Sequence, residues 1–389
     1  MGGTNLFGDR DDRVPARKQP RTQGEGELRL VKAERHQGQL VPATLDQAIA
    51  NDHRARTLWS LVEQLDLSEF YAQITVRTDT VGRPATDPKI LVALWLYATC
   101  EGVGSARQLA RLCEQHDAYR WICGGAPVNH HMLSDFRVGH EKALDAVMTQ
   151  VIAVLMHGGV VKLERVAQDG MRVRASAGAA SFRRERSLRK CLQAAREQVK
   201  LTKKLLDAED ETRETNQRAA KQRAAREREE HVRRALAELQ RARGSKETKQ
   251  QKENARASTT DAEARVMHMS DGGFRPAYNI QLATDVKSRV ILGVRATNRG
   301  NDYGQIAPML KDIERRTGRK PRQLLVDGGY RDLDEIATAG SVGVQVFAPV
   351  SVPRAPNIDP YRPKAKDSAP VAAWRRRMGT QSARSIYKQ

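Results

Sequence analysis

The chain has 389 residues, of which 39 % are apolar and 29 % are charged. This apolar content is sufficient for a folded core, so the composition excludes a wholly disordered protein. The 67 lysines and arginines outnumber the 47 aspartates and glutamates, which gives a formal net charge of +20. An excess of this size indicates a polyanionic partner, and nucleic acid is the simplest one.

Signals for membrane insertion and secretion are missing from the sequence. The longest clean apolar run, residues 90–98, is less than half of the ~20 residues that a membrane-spanning helix needs. The first residues, MGGTNLFGDRDDR, lack the apolar stretch of a secretory signal. The four cysteines form no CxxC pair, which is typical of reduced thiols. These features predict a cytoplasmic protein without membrane contact.

The amino-terminal part divides into a polar tail and a helical region. Residues 1–27 have no hydrophobic period and predict a disordered basic tail. From about residue 42 to residue 157 the pattern is helical, and the last predicted helix carries one apolar stripe from Leu133 to Val151. Capping residues mark four helix starts: Asp87, Ser105, Asp117 and Asn129.

Short helices joined by tight turns allow two interpretations of this region. A helix-turn-helix would place one helix in the major groove of DNA. A small helical bundle with a solvated basic face explains the same pattern, and the sequence alone favours it. The arginines that would contact DNA are Arg107, Arg111, Arg120 and Arg137.

A charged stretch without proline follows from about residue 183 to residue 256. Its apolar residues are spaced by three and four from Leu188 to Leu206, and a similar stripe continues from Ala225 to Leu239. This spacing predicts an antiparallel helical hairpin. Its positive charge could lie along DNA, and a solvated coiled coil that serves as a spacer or dimer contact explains the pattern equally well.

Beyond residue 264 the pattern changes from helices to strands. Two β-rich runs, residues 278–284 and 289–296, predict a hairpin around the sequence DVKS. The mixture of hairpin and crossover connections predicts an α/β sheet with some antiparallel pairing. The helix, strand, helix and strand that follow are predicted at residues 306–316, 324–326, 333–339 and 344–350.

Two short apolar strands share one local design. Residues 166–168 lead into Asp169 and residues 324–326 lead into Asp327, and a glycine follows each aspartate. If the strands are neighbours, the carboxylates converge at one sheet edge and form an oxygen-rich site for Mg²⁺. Such ions activate water or a 3′-hydroxyl for phosphodiester displacement. A single Asp-Gly more often marks a turn, so the prediction depends on both aspartates together.

Other candidate sites have weaker support. A zinc set of Cys113, Cys123, His130 and His131 lacks a close CxxC pair, and Cys113 lies on an apolar stripe. Neither a P-loop nor a GxGxxG motif after a strand is present. Two arginine clusters are equally explained as phosphate contacts and as solvated surface: Arg183, Arg184 and Arg186, and Arg375, Arg376 and Arg377.

With these motifs the sequence resembles the DDE transposases of bacterial insertion sequences. It is most similar to the subgroup with an amino-terminal helical domain and a long charged helical insertion after the first catalytic aspartate. The resemblance runs from about residue 30 to the end of the sequence. The stretches that carry it are residues 82–125, HHMLSDFRVGH (130–140), QDGMRVRASAG (168–178), DGGFRPAYNIQLATD (271–285) and LLVDGGYRD (324–332).

The resemblance implies an α/β, RNase H-like catalytic sheet that is interrupted by a coiled-coil-like helical insertion and preceded by an all-α domain. It implies Mg²⁺-dependent cleavage at the ends of a mobile element, with Mn²⁺ as a substitute, and attack of the freed 3′-hydroxyl on target DNA. Asp169 matches the first metal-binding aspartate and Asp327 the second. The all-α domain would recognise terminal inverted repeats, and several copies of the chain would assemble on DNA.

The expected domains follow from this resemblance. We expect a tail at residues 1–27 and a helical DNA-binding domain at residues 28–157. The catalytic domain is expected in two parts, residues 158–181 and 258–350, with the hairpin insertion between them at residues 182–257. An incomplete carboxy-terminal segment is expected at residues 351–389.

One departure from the family pattern concerns the third acid, a glutamate on a helix after the last strand. No glutamate follows Glu335, which we expect at the surface, and the sequence ends with an opening of that segment at Tyr387. The departure predicts a polypeptide that is truncated before its third acid, with weak metal binding, impaired activity and an uncovered apolar sheet face. The alternatives are a non-catalytic DNA-binding regulator derived from a transposase and, with less support, a coiled-coil scaffold.

Overall fold

The computed structural model describes residues 44–76, 84–207, 215–244, 246–353 and 358–388. The predicted tail, residues 1–27, lies outside these ranges, as does most of the polar break between the two charged helices. Within the described ranges, no helix is both long and apolar enough to cross a membrane.

The amino-terminal region folds into helices around one apolar core that contains the buried side chains of Leu94, Leu109 and Leu133. The helices are α1 (Arg54–Gln64), α2 (Ser68–Tyr71), α3 (Pro88–Cys100), α4 (Ala106–Gln115), α5 (Asp117–Cys123), α6 (His130–Gly139) and α7 (Glu141–His157).

The capping signals at Asp87, Ser105 and Asn129 are confirmed, because these side chains accept hydrogen bonds from backbone N–H groups of the first helical turn. Asp117 starts α5 as expected, but the side chain of His116 caps that helix.

The prediction of one continuous helix after Asn129 was wrong, because the chain breaks between α6 and α7. His140 leaves the helical conformation, with φ −115° and ψ 31°, directly after Gly139. Its Nδ1 atom lies 2.9 Å from the carbonyl oxygen of Phe136, and its ring stacks on the ring of Phe70. A glycine and a histidine that turns back onto its own helix therefore end α6 and redirect the chain.

The second part of the chain contains a mixed sheet, which confirms the prediction of an α/β fold with some antiparallel pairing. The strand order is β4-β5-β1-β7-β8, and β6 also pairs with β5. The pairs β1–β5, β4–β5 and β5–β6 are antiparallel, whereas β1–β7 and β7–β8 are parallel. The strands are β1 (Arg165–Arg174), β2 (Phe182–Arg183), β3 (Ala257–Ser258), β4 (Arg265–His268), β5 (Phe274–Asp285), β6 (Ile291–Thr297), β7 (Gln323–Leu325) and β8 (Gln345–Phe347).

Between β1 and β4 the chain forms two long helices and a short one: α8 (Glu185–Asp207), α9 (Thr215–Gly244) and α10 (Lys249–Asn254). The first two are antiparallel, since Glu185 at the start of α8 pairs with Arg243 at the end of α9. The helix pair buries Leu188 and Leu239 in a small core of its own. A two-stranded ladder of β2 and β3 closes the base of the helix pair, which we call the hairpin.

The sheet packs against helices that follow β6: α11 (Ile306–Thr317), α12 (Leu333–Ser341), α13 (Ala369–Met378) and α14 (Gln381–Tyr387). Met309 and Ile313 of α11 are fully buried in the same core as Leu292 of β6. Trp374 of α13 is fully buried in that core, and its indole N–H donates to the carbonyl oxygen of Ala348 at 3.2 Å. This core holds β1 and β7 in place, and the predicted aspartates lie on or directly after these two strands.

Candidate active site

The two predicted aspartates lie on, or just after, neighbouring parallel strands. β1 and β7 pair in parallel, and their last paired residues are Ala167 and Leu325. Asp169 and Asp327 each lie two positions further along the chain. Side chains alternate along a strand, so Asp169 projects from the face that carries Ala167. Asp327 lies beyond the end of β7 and caps the short turn that begins at Gly328. Neighbouring strands are about 4.8 Å apart, so the segments that carry the two aspartates run side by side up to Ala167 and Leu325.

The prediction that each aspartate ends a short strand was wrong for Asp169. β1 continues to Arg174, and Gly170 lies opposite Gln281 of β5 within a long antiparallel ladder. Asp169 is therefore in the middle of a strand. Asp327 does follow the end of its strand, and its side chain accepts a hydrogen bond from the backbone N–H of Gly329 at 2.8 Å.

Gly170 leaves space for a third aspartate, which the sequence analysis did not identify. A Cβ atom at Gly170 would collide with the carboxylate of Asp302 and the amide of Gln281. One carboxylate oxygen of Asp302 accepts hydrogen bonds from Asn279 Nδ2 and Gln281 Nε2, both at 2.7 Å. Asn279 and Gln281 are fully buried. Polar residues at alternate positions of a buried strand were the signal in the sequence that could have indicated this site.

Beneath the carboxylates lies a buried polar network. Gln168 Nε2 donates to Gln281 Oε1 and to the carbonyl oxygen of Gln305, both at 3.0 Å. The hydroxyl group of Tyr330 donates to the same oxygen of Gln281. Burial raises the pKa of Tyr330, and the charges of Asp302 and Asp169 raise it further. The phenol therefore stays protonated at neutral pH and remains a hydrogen-bond donor.

Asp302 does not join Asp169 as a ligand on the same face. Asp302 lies over Gly170, whereas Asp169 is the neighbouring residue and projects from the opposite face of β1. Accordingly, in the described part of the chain no three His, Cys, Asp or Glu side chains are grouped so that they could hold a metal ion. Asp302 instead extends towards Gly329, where its second oxygen lies 3.5 Å from the Cβ position. It connects the loop after β6 to the turn after β7.

The chemistry of Asp169 and Asp327 fits Mg²⁺ better than a soft metal. Both residues are exposed, and both supply only carboxylate oxygens. In each case one oxygen accepts a backbone N–H, from Gly170 at 2.7 Å and from Gly329 at 2.8 Å. These bonds fix the orientation of the side chains. Mg²⁺ commonly takes one or two carboxylates and completes its shell with water and substrate phosphate.

An apolar part of the sheet face lies exposed beside Asp169. Met171 and Val173 follow it at alternate positions of β1 and are 53 % and 41 % exposed. Val294 of β6 lies on the same face and is 38 % exposed. At the other side of the pair, the charge of Asp327 contributes, after burial, to the raised pKa of Tyr387. The end of α14 therefore lies close to Asp327.

Glu335 is not the exposed surface residue that the sequence suggested. It is half-buried, and its two carboxylate oxygens accept hydrogen bonds from the backbone N–H groups of Ile306 and Ala307, at 3.1 Å and 3.0 Å. It caps the start of α11, where a negative charge is favourable. Glu335 therefore has a structural role and is not a third acid of the site.

The arginines proposed for DNA contact differ in their surroundings. Arg107 and Arg111 are exposed, lie one turn apart on α4 and have no ion pair within the described ranges. Arg120 pairs with Asp117 of its own helix at 3.1 Å. Arg137 donates to the carbonyl oxygen of Gly104, also at 3.1 Å, and its guanidinium group covers the ring of Trp95. Arg183 and Arg184, both exposed, lie at the base of the hairpin.

The carboxy-terminal cluster is largely internal. Arg375 is buried and pairs with Asp367 at 2.7 Å. Arg377 donates to the carbonyl oxygen of Val346 at 3.1 Å. Of this cluster only Arg376 is exposed. As a group these arginines are therefore neither phosphate contacts nor solvated surface, because two of them stabilise the packing of α13.

The helical region matches a known protein family. Residues 43–139 match a family model described as Transposase domain (DUF772). The match supports a transposase. The transposase domain covers α1 to α6 and thus the exposed arginines of α4. Transposases cut and transfer DNA, which agrees with the net charge of the chain. No curated protein and no solved structure matches the chain.

Proposed function

We propose that the chain is a DDE-type transposase polypeptide that binds the terminal inverted repeats of an insertion sequence and cuts and transfers DNA with Mg²⁺. The observation that carries this proposal is the parallel pairing of β1, which contains Asp169, with β7, which leads into Asp327. The transposase domain at residues 43–139 and the net charge of +20 support it. A mixed sheet that is interrupted by the hairpin after its first strand agrees with an RNase H-like fold.

In this proposal Asp169 and Asp327 hold Mg²⁺, and Mn²⁺ substitutes for it. When bound, such ions supply an activated water or 3′-hydroxyl and stabilise the leaving oxygen of a phosphodiester. The protein contributes the arrangement of the ligands. The register of β1 and β7 sets the distance between the two carboxylates, and the N–H groups of Gly170 and Gly329 orient them. The buried network around Gln281 supports both strands from below.

The transposase domain recognises DNA in this proposal. Arg107 and Arg111 present two guanidinium groups on one exposed face of α4, where they can contact phosphates or base edges. α4 and α5 are separated only by His116, a tight turn that agrees with a helix-turn-helix arrangement. Several copies of the chain would assemble on the element ends and the target.

A cleavage assay tests the proposal. The purified chain is incubated with Mg²⁺ or Mn²⁺ and linear DNA that carries both ends of the element, and nicking and strand transfer are measured. We expect weak cleavage, since no group of three acidic side chains in the described ranges could hold a metal ion. Asp169→Ala should abolish cleavage and leave DNA binding intact. Cleavage that survives Asp169→Ala would disprove the assignment of the site.

The lack of a group of three acidic side chains that could hold a metal ion in the described ranges favours a second candidate function. In this alternative the chain would act as a DNA-binding regulator that occupies the element ends without cutting them. In that case neither the wild type nor Asp169→Ala would cut DNA, and both would bind the ends with equal affinity.

A further inference from the structure

A cleft of about 1030 Å³ separates the base of the hairpin from the sheet. Its hairpin side includes Arg241 and Lys246, at and just beyond the end of α9. Its floor is formed by strand residues, namely Val266 of β4, Tyr278 of β5 and Ala296 of β6. We call this space the hairpin cleft.

The floor of the hairpin cleft lies on the same sheet face as Asp169. Tyr278 is paired with Val173 of β1, and Val173 is four residues beyond Asp169. Because side chains alternate along a strand, Tyr278, Val173 and Asp169 project from one face. Four residues of a strand span about 13 Å. A ligand bound at the aspartates can therefore continue into the hairpin cleft without crossing to the other face.

The lining of the cleft carries an excess of positive charge. Glu238 is shared between Arg241 and Arg265, so it neutralises only one of the two. Five basic side chains and two acidic ones line the cleft: Arg241, Lys246, Arg256, Arg265 and Arg299, and Glu238 and Glu263.

Three of these basic groups are available to a ligand. Lys246, Arg256 and Arg299 are exposed, and none of them has an ion pair within the described ranges. Arg299 makes a long hydrogen bond of 3.4 Å to the carbonyl oxygen of Tyr303. A concave surface with unpaired cations focuses positive potential more strongly than the same charges on a convex helix.

The hairpin cleft is continuous with further clefts along α9, since neighbouring clefts share lining residues. Two further clefts of about 600 and 580 Å³ adjoin α9 between Ala224 and Arg241, and Arg183 and Arg228 line the more distant one. From Ala224 to its end at Gly244, α9 is about 30 Å long at 1.5 Å per residue. This length is close to one turn of B-DNA, about 34 Å.

We propose that the hairpin cleft binds backbone phosphates of the substrate DNA about four base pairs from the phosphate at Asp169 and Asp327, since duplex DNA rises 3.4 Å per base pair. The inference rests on the proposed function in that it takes DNA as the substrate. It assigns the hairpin a role as a clamp that fixes the DNA segment next to the reacting phosphate, and Lys246, Arg256 and Arg299 are its phosphate contacts.

Salt-dependent DNA binding tests this assignment. Binding of the full chain to a labelled duplex several helical turns long is measured without divalent metal over a series of salt concentrations. The cleft triple variant is Lys246→Gln/Arg256→Gln/Arg299→Gln. Each lost phosphate contact should reduce the magnitude of the slope of log K against log salt concentration by about 0.9. The cleft triple variant should therefore have a slope that is smaller in magnitude by about 2.7, and its affinity for DNA at low salt should be at least tenfold lower.

The matched control is Lys287→Gln/Lys311→Gln/Arg319→Gln, which removes the same charge from three exposed residues outside the cleft. It should leave the slope unchanged. An equal loss of slope in both triple variants, or no loss in either, would overturn the inference. Thermal unfolding of both variants checks that the fold is retained.

The binding assay also separates this inference from the proposed activity. If the salt dependence of DNA binding is weaker in the cleft triple variant and the wild type never cuts DNA, the assignment of the hairpin cleft is supported and the catalytic proposal fails. If the wild type cuts DNA and the cleft triple variant has the same salt dependence of binding as the wild type, only the role of the hairpin as a clamp is wrong.

Discussion

The carboxylate of Asp302 occupies the place where a side chain at Gly170 would begin. The two residues belong to different elements, since Gly170 lies in β1 and Asp302 in the loop between β6 and α11. The glycine of this Asp-Gly pair thus serves a close approach between a strand and a loop and makes no turn. The neighbouring Asp169 depends on the same stretch of strand for its position.

Gly170→Ala should therefore destabilise the protein. The added methyl group meets Asp302, Gln281 and Asn279, all of which are held by hydrogen bonds, so overpacking should lower the free energy of unfolding by about 1–3 kcal/mol. Gly178→Ala is the control, because its Cβ position has no neighbour within 4 Å and its backbone is extended, with φ −85°. It should be neutral or slightly stabilising. Equal free energies from urea denaturation of the two variants would contradict this account.

An ion pair that titrates joins α7 of the helical region to α11, which packs against the sheet. Arg316 of α11, only 3 % exposed, contacts Asp145 of α7 and pairs with Asp312 at 3.2 Å. Burial acts to raise the pKa of Asp145, but hydrogen bonds from Arg316 and Arg315 outweigh it and hold the pKa below its usual value of 3.8. A depressed pKa stabilises the folded state above about pH 4, and this contribution is lost as the pH falls through the lowered value.

Asp145→Ala should lower the free energy of unfolding at pH 7 by about 1.5 kcal/mol, the low end for a hydrogen bond to a charged group, since Asp145 is partly exposed and Asp312 still pairs with Arg316. The difference from wild type should shrink below pH 4. Asp135→Ala removes an exposed carboxylate that has no ion pair in the described part of the chain, and it should change little. A constant difference between wild type and Asp145→Ala from pH 7 to about pH 3 would exclude the linkage to Asp145.

The hydroxyl group of Tyr330 should contribute to stability through Gln281. Tyr330 is fully buried, and Tyr330→Phe removes one of the two donors to Gln281 Oε1. We expect a loss of about 1 kcal/mol. Tyr361→Phe serves as the comparison, since no hydrogen bond of its hydroxyl group is present among the described contacts. If the two substitutions cost the same in thermal unfolding, the network does not depend on Tyr330.

The helix starts could be predicted because their causes are local. Asp87 caps α3 and Ser105 caps α4 through bonds to residues two and three positions away. The length of β1 could not be predicted, because it depends on pairing with β5, more than a hundred residues later. The role of Asp302 was hidden for the same reason, since no local pattern marks a loop aspartate and its partners Asn279 and Gln281 are on β5, where only the alternate polar residues gave a signal.

From the sequence, a shared site of Asp169 and Asp327 could be predicted only on the condition that their two strands are neighbours. The sequence shows two apolar runs that lead into aspartate, but whether these strands are neighbours depends on the order of strands in the sheet. The structure places β1 beside β7, so the strands that carry Asp169 and lead into Asp327 are neighbours. It also separates Asp302 from Asp169 by the two faces of the sheet, which the sequence could not indicate.

Metal-directed cleavage of the protein backbone tests the shared cation most directly. Fe²⁺ takes the place of Mg²⁺ and, with ascorbate and peroxide, cuts the chain close to where it binds, and the fragments are mapped by mass spectrometry. We expect two cuts, one near Asp169 and one near Asp327, and both should disappear with excess Mg²⁺, in Asp169→Asn and in Asp327→Asn. Cuts at only one of these positions, or cuts that persist in either variant, would show that the two aspartates hold no common ion.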